Sequence, residues 1–455
     1  MRLSLTKEPG LVRSSFTRPV LVALGVFAAS PTVPAQEEPL AFTGAHLIPI
    51  VGEPIDGGTL LVHKGRILAA GAADAVPIPA GARTIDVAGK TLMPGLVDTH
   101  SHIGGIGGAD ASGPLQPDVR IHDSLNVRDS GFMRVRAGGL TTLNIMPGSG
   151  HLLSGQTIYV KVRKAGKIED MFILDAGQRP MGGIKMANGT NPQGEPPFPG
   201  TRGKAAALVR QQFIKALEYR DKLERAGDDP DKRPARDIGL EAVVEALDGR
   251  RIVHHHTHRA DDIITVLRLQ QEFGFRVVLH HVSEAWKVAD EIAKARAPCS
   301  VILVDSPGGK LEAAELIFDT APILERAGVL IAFHTDDWIT DSRLWFRMAA
   351  FGVRAGMSRK AALEALTLNG ARMLDLDQRI GSLEAGKDAD FIVLSGDPLS
   401  VYTKVEQTWI EGMKVFDRSD EKDRLYATGG FGAGHDQEPY FCCFDHDQAV
   451  QGEEH

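Results

Sequence analysis

Short apolar runs alternate with longer amphipathic segments through the middle of the chain. The apolar runs are rich in Val, Ile and Leu and show little alternation with polar residues, which is typical of strands buried on both faces of a parallel sheet. Residues 260–273 and 284–296 carry apolar side chains at helical spacing, which predicts helices with one face packed on that sheet. The alternation predicts a (β/α)8 barrel. Its strands are expected at Val97 and at residues 141–145, 158–162, 184–186, 252–256, 277–281, 301–304 and 330–333.

Residues 40–88 and 389–417 have a different pattern, in which short apolar runs are separated by glycine and proline turns. Such punctuation is typical of short strands joined by tight turns. Because 455 residues exceed the roughly 250 of a bare barrel, the chain has room for a second, smaller unit. We expect that unit to be split between the two sides of the barrel sequence.

Residues 1–35 have the pattern of a secretory signal. Four basic side chains precede the apolar run at residues 20–29, and small residues precede Gln36. The apolar run is much shorter than the roughly 20 residues that span a bilayer, which disfavours a membrane anchor. We therefore predict cleavage before Gln36, export to the periplasm or the extracellular space, and no membrane association after cleavage.

The chain is acidic, with a formal net charge of −8. Loss of the leader removes four basic and one acidic side chain and leaves −11, which disfavours attraction to nucleic acid. The three cysteines, Cys299, Cys442 and Cys443, provide no disulfide framework. Residues 419–455 are predicted to form an acidic, flexible tail, with a metal-binding or intermolecular role for its cysteine pair as the alternative.

Histidine and aspartate residues stand at the ends of four predicted strands. His100 and His102 lie two residues apart, and on a strand such side chains leave the same face. The carboxyl ends of barrel strands open onto one face, so residues from distant strands converge there. Imidazole and carboxylate groups bind Zn²⁺, and also Mn²⁺, Fe²⁺ or Co²⁺. The pattern predicts a metal site drawn from the following residues: His100, His102, His254, His256, His258, His280, His281, His334, Asp336 and Asp337.

Two segments resemble signatures of the amidohydrolase superfamily. Residues 91–102, TLMPGLVDTHSH, are similar to its first-strand motif, and residues 380–394, IGSLEAGKDADFIVL, are similar to its closing segment. The resemblance covers residues 40–418. Through residues 184–189 and 256–263 it extends to the imidazolonepropionase-related branch, which includes exported prolidase-like and Xaa-Arg-dipeptidase-like hydrolases.

The resemblance implies a domain organisation. The barrel would occupy residues 91–375, and residues 36–90 and 376–418 would together form one small β-sandwich beside it. The leader at residues 1–35 and the tail at residues 419–455 would lie outside both units.

The resemblance also implies roles for individual residues. Lys185 would be carboxylated and bridge two ions, as in two-metal members of the family; a one-metal site is the alternative, and Lys161 is the competing lysine. Successive strand residues point to opposite sides, so only one of Asp336 and Asp337 faces the site, and the resemblance selects Asp336 as ligand and general acid/base. The implied metal ligands are His100, His102, Lys185, His256, His281 and Asp336, with His258 and Arg259 as substrate-binding residues.

These features predict an exported hydrolase that uses one or two divalent ions, most naturally Zn²⁺, to cleave C–N bonds in amides, dipeptides or cyclic amides. Its partner would be a small-molecule substrate, and a homo-oligomer is compatible with the sequence. Residues 188–236 form a long insertion that we expect to cover the site as a lid, with a helix at residues 204–226. The alternatives are a one-metal deaminase of an amino-heterocycle and a metal-binding relative without catalysis.

Overall fold

The computed structural model describes residues 38–105, 110–304, 311–337 and 339–429. The predicted leader, and the part of the tail that contains Cys442 and Cys443, lie outside the described residues. The described part has a mixed α/β fold. Its strands are β1 Leu40–Leu47, β2 Ile55–His63, β3 Arg66–Gly71, β4 Arg83–Asp86, β5 Thr91–Pro94, β6 Leu96–Ser101, β7 Leu140–Ile145, β8 Leu153–Gln156, β9 Ile158–Lys161, β10 Ile184–Ala187, β11 Val253–Thr257, β12 Val277–His281, β13 Cys299–Val301, β14 Ile331–Phe333, β15 Phe391–Leu394, β16 Val405–Ile410 and β17 Met413–Asp417. Its α-helices are α1 Ser130–Ala137, α2 Arg202–Ala226, α3 Ile238–Leu247, α4 Ala260–Phe273, α5 Ala289–Ala295, α6 Thr320–Arg326, α7 Phe346–Arg354, α8 Arg359–Leu366, α9 Leu368–Met373 and α10 Glu421–Thr428.

Strands from both ends of the described chain form one eight-stranded sheet, in the order β17-β16-β15-β5-β1-β2-β3 with β4 beside β1. Aromatic side chains form part of its core, since the Phe42 ring centroid lies 4.9 Å from that of Phe391 and 5.0 Å from that of Trp409. β5 pairs with β1 and β15, so it belongs to this sheet and not to the barrel segment in which the sequence placed it. The sheet takes strands from both sides of the barrel sequence, which is the arrangement expected for the second unit. That the unit forms a β-sandwich stays a prediction.

The remaining strands form two central sheets, one in the order β14-β13-β12-β11-β10-β8 and one in the order β6-β7-β9. β10 to β14 are parallel to one another, and β6 is parallel to β7. The two sheets contact each other along both pairs of edge strands. Ser101 forms a parallel bridge with Asp337, and the Thr157 N–H donates to the Gly183 carbonyl. The carboxyl ends of β6, β11, β12 and β14 therefore lie at the same end of the central sheets.

The third predicted barrel strand runs in the direction opposite to the one expected. β9 is antiparallel to β7, and β8 is antiparallel to β10, so residues 153–161 cross the central sheets in reverse. The physical reason lies in the connection at residues 146–152, which contains Pro147 and Gly148 and is too short for the dozen or more residues of a parallel crossover. The expectation of eight parallel strands was wrong at this position.

The helices follow the apolar spacing of the sequence. α4 has the bounds predicted for it, and Ile263, Val266 and Leu269 are its buried apolar positions. It ends where Gly274 takes a left-handed φ of 76°, a conformation that costs glycine little. The second predicted helix is shorter than expected and divides into a 3-10 turn and α5. Among the described residues, none of the helices combines the length and the apolar character that crossing a bilayer requires.

Candidate metal centre

The end of β6 and the residues after β14 bring together His100, His102 and Asp336. The Nε2 atom of His100 lies 3.1 Å from Nε2 of His102 and 3.3 Å from Oδ1 of Asp336. The Nε2 atom of His102 lies 3.0 Å from the same oxygen. Asp336 has a left-handed φ of 48°, and its N–H donates to the His100 carbonyl, so the chain turns where the carboxylate meets the two rings. All three side chains are buried.

Lys185 of β10 reaches the same group. Its Nζ atom lies 3.0 Å from His100 Nε2 and 3.2 Å from Met146 Sδ, and the side chain is fully buried. Met146 also orients His102, because the His102 Nδ1 atom lies 2.8 Å from its carbonyl oxygen. A ring N–H that donates to a carbonyl fixes the tautomer and leaves the lone pair on the opposite nitrogen. The Nε2 lone pair of His102 is thereby directed toward His100 and Asp336.

His256, His258 and His281 form a second group at the ends of β11 and β12. Their ring centroids are separated by 4.7 Å between His256 and His258, 4.3 Å between His256 and His281, and 5.0 Å between His258 and His281. His281 has a positive φ of 69°, so the chain leaves the extended conformation at this residue. Its Nδ1 atom lies 3.9 Å from Asp336 Oδ2. Asp336 therefore lies between the two groups.

A third group, His100, His280 and His334, lies beside the first and shares His100 with it. The His334 ring stacks on the His100 ring with centroids 4.9 Å apart, and its Nδ1 atom lies 2.8 Å from Ser300 Oγ. Neither His280 nor His334 is among the ligands implied by the resemblance. The signal for His334 was present in the sequence, since it lies two residues before Asp336 at the end of a strand.

Burial and charge set the protonation of these groups. The pKa values of His100, His280 and His281 lie well below 6.5, first because burial disfavours the imidazolium and then because neighbouring cationic groups repel it. Burial in the same way lowers the pKa of His334 to about 3. Burial alone would raise the pKa of Asp336, but contact with the neighbouring imidazoles holds it below 3.8. Burial thus favours the neutral imidazole at His100, His280, His281 and His334 and the low pKa favours the carboxylate at Asp336, which are the forms that bind metals.

The donor atoms fit a divalent ion. In each of the three groups the ligand atoms lie within 4.8 Å of one another. The Nε2 atoms of His281 and His334 are buried and make no hydrogen bond with any described residue. A buried polar atom without a hydrogen bond lowers the stability of the fold by about 1–3 kcal/mol, and coordination of a metal ion would remove that penalty. These groups could therefore hold a metal, and their imidazole and carboxylate donors suit Zn²⁺, Mn²⁺, Fe²⁺ and Co²⁺ alike.

Comparison with protein families and solved structures identifies the chain at the family level. The model of the amidohydrolase family, Amidohydro_1, matches residues 91–415. The chain belongs to the amidohydrolase family. An amidohydrolase from Thermotoga maritima MSB8 has a crystal structure that is 34% identical in sequence with a TM-score of 0.78, over 83% of this chain and 100% of that one. A prolidase complexed with N-methylphosphonate-L-proline is similar in fold, with 18% identity and a TM-score of 0.52 over 83% of this chain and 100% of that one.

Curated relatives of this amidohydrolase carry several activities. Amidohydrolase tasK of Hapsidospora irregularis is 28% identical over 392 residues, which make up 79% of this chain but only 40% of that protein. A 5-methylthioadenosine/S-adenosylhomocysteine deaminase of Symbiobacterium thermophilum is 25% identical over 410 residues, 79% of this chain and 86% of that protein. Imidazolonepropionase of the same organism is 23% identical over 381 residues, 75% of this chain and 84% of that protein. These relatives agree with the imidazolonepropionase-related branch and identify a hydrolase that acts on C–N bonds.

The lysine that competed with Lys185 lies away from the histidines of this amidohydrolase. Lys161 stands at the end of the reversed strand and pairs with Asp388, with Asp390 at 3.1 Å and with Glu411 at 3.1 Å. Burial lowers its pKa, but the three carboxylates outweigh that effect and raise it above 10.5. Lys161 is therefore held as a cation between the central strands and the segments around β15 and β17.

Two further residues singled out from the sequence occupy different surroundings. Arg259 is partly exposed and binds Asp261 through two hydrogen bonds of 2.9 Å, whereas Arg202 is the residue that binds Asp262. The side chain of Asp337 is buried beside Arg134, and burial raises its pKa to about 7. The structure thus joins Asp336, and neither Asp337 nor Arg259, to the histidine groups.

The insertion after β10 contacts the second histidine group. The Asn191 amide nitrogen lies 3.2 Å from His256 Nε2 and 2.7 Å from Ser149 Oγ. Farther along the insertion, Arg202 at the start of α2 bridges Asp262 and Glu312. These contacts tie both the start of the insertion and its long helix to the end of the central sheets that carries the histidines. The sequence indicates the insertion but gives no separate signal for Asn191.

Proposed function

We propose that this amidohydrolase is a metal-dependent hydrolase of C–N bonds in amides, dipeptides or cyclic amides. The observation that carries the proposal is the convergence of buried imidazoles on the Asp336 carboxylate, at 3.0 Å for His102 and 3.3 Å for His100. Buried polar groups at such density are costly unless they bind something. The residues that would hold one or two divalent ions are His100, His102, Lys185, His256, His281 and Asp336.

The two central sheets are proposed to act as one closed barrel. The Ser101–Asp337 bridge and the hydrogen bond from Asp336 N to His100 O support closure at one edge, and the Thr157–Gly183 hydrogen bond supports it at the other. Closure matters for chemistry because it fixes strands that are distant in sequence around a single site.

Proton transfer follows from the position of Asp336. A divalent ion held by these residues would polarise a substrate carbonyl and make water nucleophilic at neutral pH. The Asp336 carboxylate, which its low pKa keeps ionised at neutral pH, would accept a proton from the attacking water and return it to the leaving nitrogen. His258 lies in the adjacent group, and its Nδ1 atom is 2.7 Å from Ser283 Oγ, which holds the ring in place for contact with substrate. Lys185, carboxylated on Nζ, is proposed to bridge two ions.

A deaminase is the second candidate, because a curated relative at 25% identity carries that name. A substrate panel separates the two activities. Zn²⁺-loaded and Mn²⁺-loaded enzyme would be incubated with Xaa-Pro and Xaa-Arg dipeptides, with imidazolone lactams and with amino-purine nucleosides, and the release of free amine, ring-opened product and ammonia would be measured. The proposal expects amine release or ring opening without ammonia from the nucleosides.

Metal analysis and one variant complete the test. Wild-type protein is expected to retain at least about one transition metal per chain, and less would favour a binding protein without catalysis. His100→Ala should abolish turnover. Equal turnover by wild type and His100→Ala, or ammonia release from nucleosides alone, would overturn the proposal.

A further inference from the structure

A line of buried ring nitrogens leads from the metal centre across the central sheets. His100 Nδ1 lies 3.2 Å from His280 Nδ1, and His280 Nε2 lies 3.0 Å from His254 Nδ1. His254 Nε2 in turn lies 2.9 Å from the hydroxyl of Tyr159. In each imidazole ring, one nitrogen faces the metal centre and the other faces away from it. The four side chains are buried, with exposed fractions between 0 and 2%.

The directions of these hydrogen bonds are determined by one end. His100 Nε2 lies among the other proposed ligand atoms, 3.1 Å from His102 Nε2 and 3.3 Å from Asp336 Oδ1, so with a metal ion bound this nitrogen would supply its lone pair and the ring proton would be on Nδ1. His100 then donates to His280 Nδ1. Since a neutral imidazole has one ring proton, His280 carries its proton on Nε2 and donates to His254.

His254 repeats this arrangement. It accepts at Nδ1, carries its proton on Nε2 and donates to the Tyr159 hydroxyl oxygen. Burial supports the neutral forms, because it lowers the pKa of His254 to about 3 and raises the pKa of Tyr159 above its usual 10. Tyr159 is therefore the terminal acceptor of the line, and its own O–H is directed away from His254.

The central strands leave room for the hydrogen bond between His254 and Tyr159. Tyr159 lies on the reversed strand β9 and His254 on β11, so the His254–Tyr159 bond passes the start of β10, where Gly183 stands. A Cβ atom at position 183 would lie 2.5 Å from His254 Cδ2. Only glycine leaves room for the ring there. On its far side Tyr159 lines a cavity of about 330 Å³ at the opposite end of the central strands, together with Arg251 and Asp375.

We propose that Tyr159 is a positioning residue for the metal centre, which stabilises the Nδ1–H tautomer of His100 by accepting the last hydrogen bond of the line that runs through His280 and His254. The inference rests on the proposed metal site, because the tautomer matters only if His100 Nε2 is a ligand. Outer hydrogen-bond partners of ligating histidines typically change metal affinity by about 10–100-fold when removed. Tyr159 would have the same effect on metal affinity from a distance of three hydrogen bonds from the ligand His100.

The test uses the full chain with ¹⁵N-labelled histidine. Two-bond ¹H–¹⁵N correlation spectra, recorded with and without Zn²⁺, report which ring nitrogen carries the proton, independently of any activity. In the Zn²⁺-loaded protein we expect the Nδ1–H form for His100 and the Nε2–H form for His280 and His254. Tyr159→Phe should redistribute the His254 tautomer and weaken Zn²⁺ binding about 10–100-fold in a chelator competition. Tyr219→Phe, the same change at a buried tyrosine on α2, should alter neither readout.

A second pair of variants tests the same inference in case Tyr159→Phe does not fold. The amide of His254→Gln offers one acceptor and one donor, whereas His254→Phe offers neither. We expect His254→Gln to bind Zn²⁺ about tenfold or more tightly than His254→Phe. The opposite tautomer at His280 or His254 in wild type, or equal Zn²⁺ affinity for the two His254 variants, would overturn the inference. Failure of the proposed function is distinct, because wild type would then bind no Zn²⁺ while the tautomer spectra remained readable.

Discussion

The Asp336→Asn variant tests the chemistry most directly. The substitution keeps the shape of the side chain but removes the charge and the proton acceptor at a position that is 1% exposed. In the structure this carboxylate lies 3.0 Å from His102 Nε2, 3.3 Å from His100 Nε2 and 3.9 Å from His281 Nδ1, so no other described carboxylate has an equivalent position. General acid–base catalysis contributes about 10²–10⁴-fold. At 1.36 kcal/mol for each factor of ten, this corresponds to about 2.7–5.4 kcal/mol of transition-state stabilisation.

The assay measures kcat and KM for the best substrate of the panel, together with metal content by mass spectrometry. Asp336 is also a proposed ligand, so activity must be expressed per bound metal to separate proton transfer from metal loss. We expect kcat to fall by about 10²–10⁴-fold at full metal occupancy, with a smaller change in KM.

Asp337→Asn is the matched control. Asp337 is the next residue and is equally buried, but its carboxyl faces Arg134 and Ser342 and has a pKa raised by burial to about 7. Asparagine resembles the protonated form of that carboxyl, so kcat should change far less. The assignment of Asp336 fails if Asp336→Asn retains more than about a tenth of wild-type kcat per metal, or if Asp337→Asn loses as much.

Three further variants probe the lysines and the charge cluster at the opposite end. Lys185→Met should lower bound metal from about two ions per chain to about one, and an unchanged metal content would exclude a bridging role. Lys161→Met leaves the Asp390 carboxylate buried without its cation, while Asp388 keeps Arg66 and Arg379, and it should lower the free energy of unfolding by about 3–5 kcal/mol in urea while metal content stays the same. Burial alone would raise the pKa of Glu411, but Lys161 and Arg163 hold it well below 4.5. Glu411 thus adds stability above about pH 4.5 that is lost as the pH falls, so Glu411→Gln should flatten the decline of unfolding free energy below that pH, and an unchanged slope would contradict the assignment.

Much of the site could be predicted because its signals are local. His100 and His102 follow an apolar run at a two-residue spacing, and a strand places such residues on one face. The helix at Ala260–Phe273 was predicted with its observed bounds, since apolar spacing, acidic residues in its first turn and a terminal glycine agree there. Local consistency of this kind makes an element readable from sequence alone.

The parts that were missed depend on tertiary context. An apolar run such as Ile158–Lys161 has the same composition whichever way the strand runs, so only the short connection before it indicated reversal. His280 and His281 are adjacent, and nothing in their periodicity shows that His280 contacts His100 while the chain turns at His281. The ion pairs of Arg202 and Arg259 likewise depend on which acids the fold brings near them.

The reversal of residues 153–161 also affects how this enzyme could be altered. Because β7 turns back into the reversed residues 153–161, with β9 as its antiparallel partner, the segment at residues 146–152 lies at the histidine end, where Met146 contacts His102 and Ser149 contacts Asn191 of the insertion. Every residue of this segment except Gly150 is buried, so an insertion here would disturb the packing beside His102, whereas a substitution such as one at Ser149 leaves both flanking strands in place. Side-chain substitution, and not insertion, is therefore the way to redesign substrate preference from this segment.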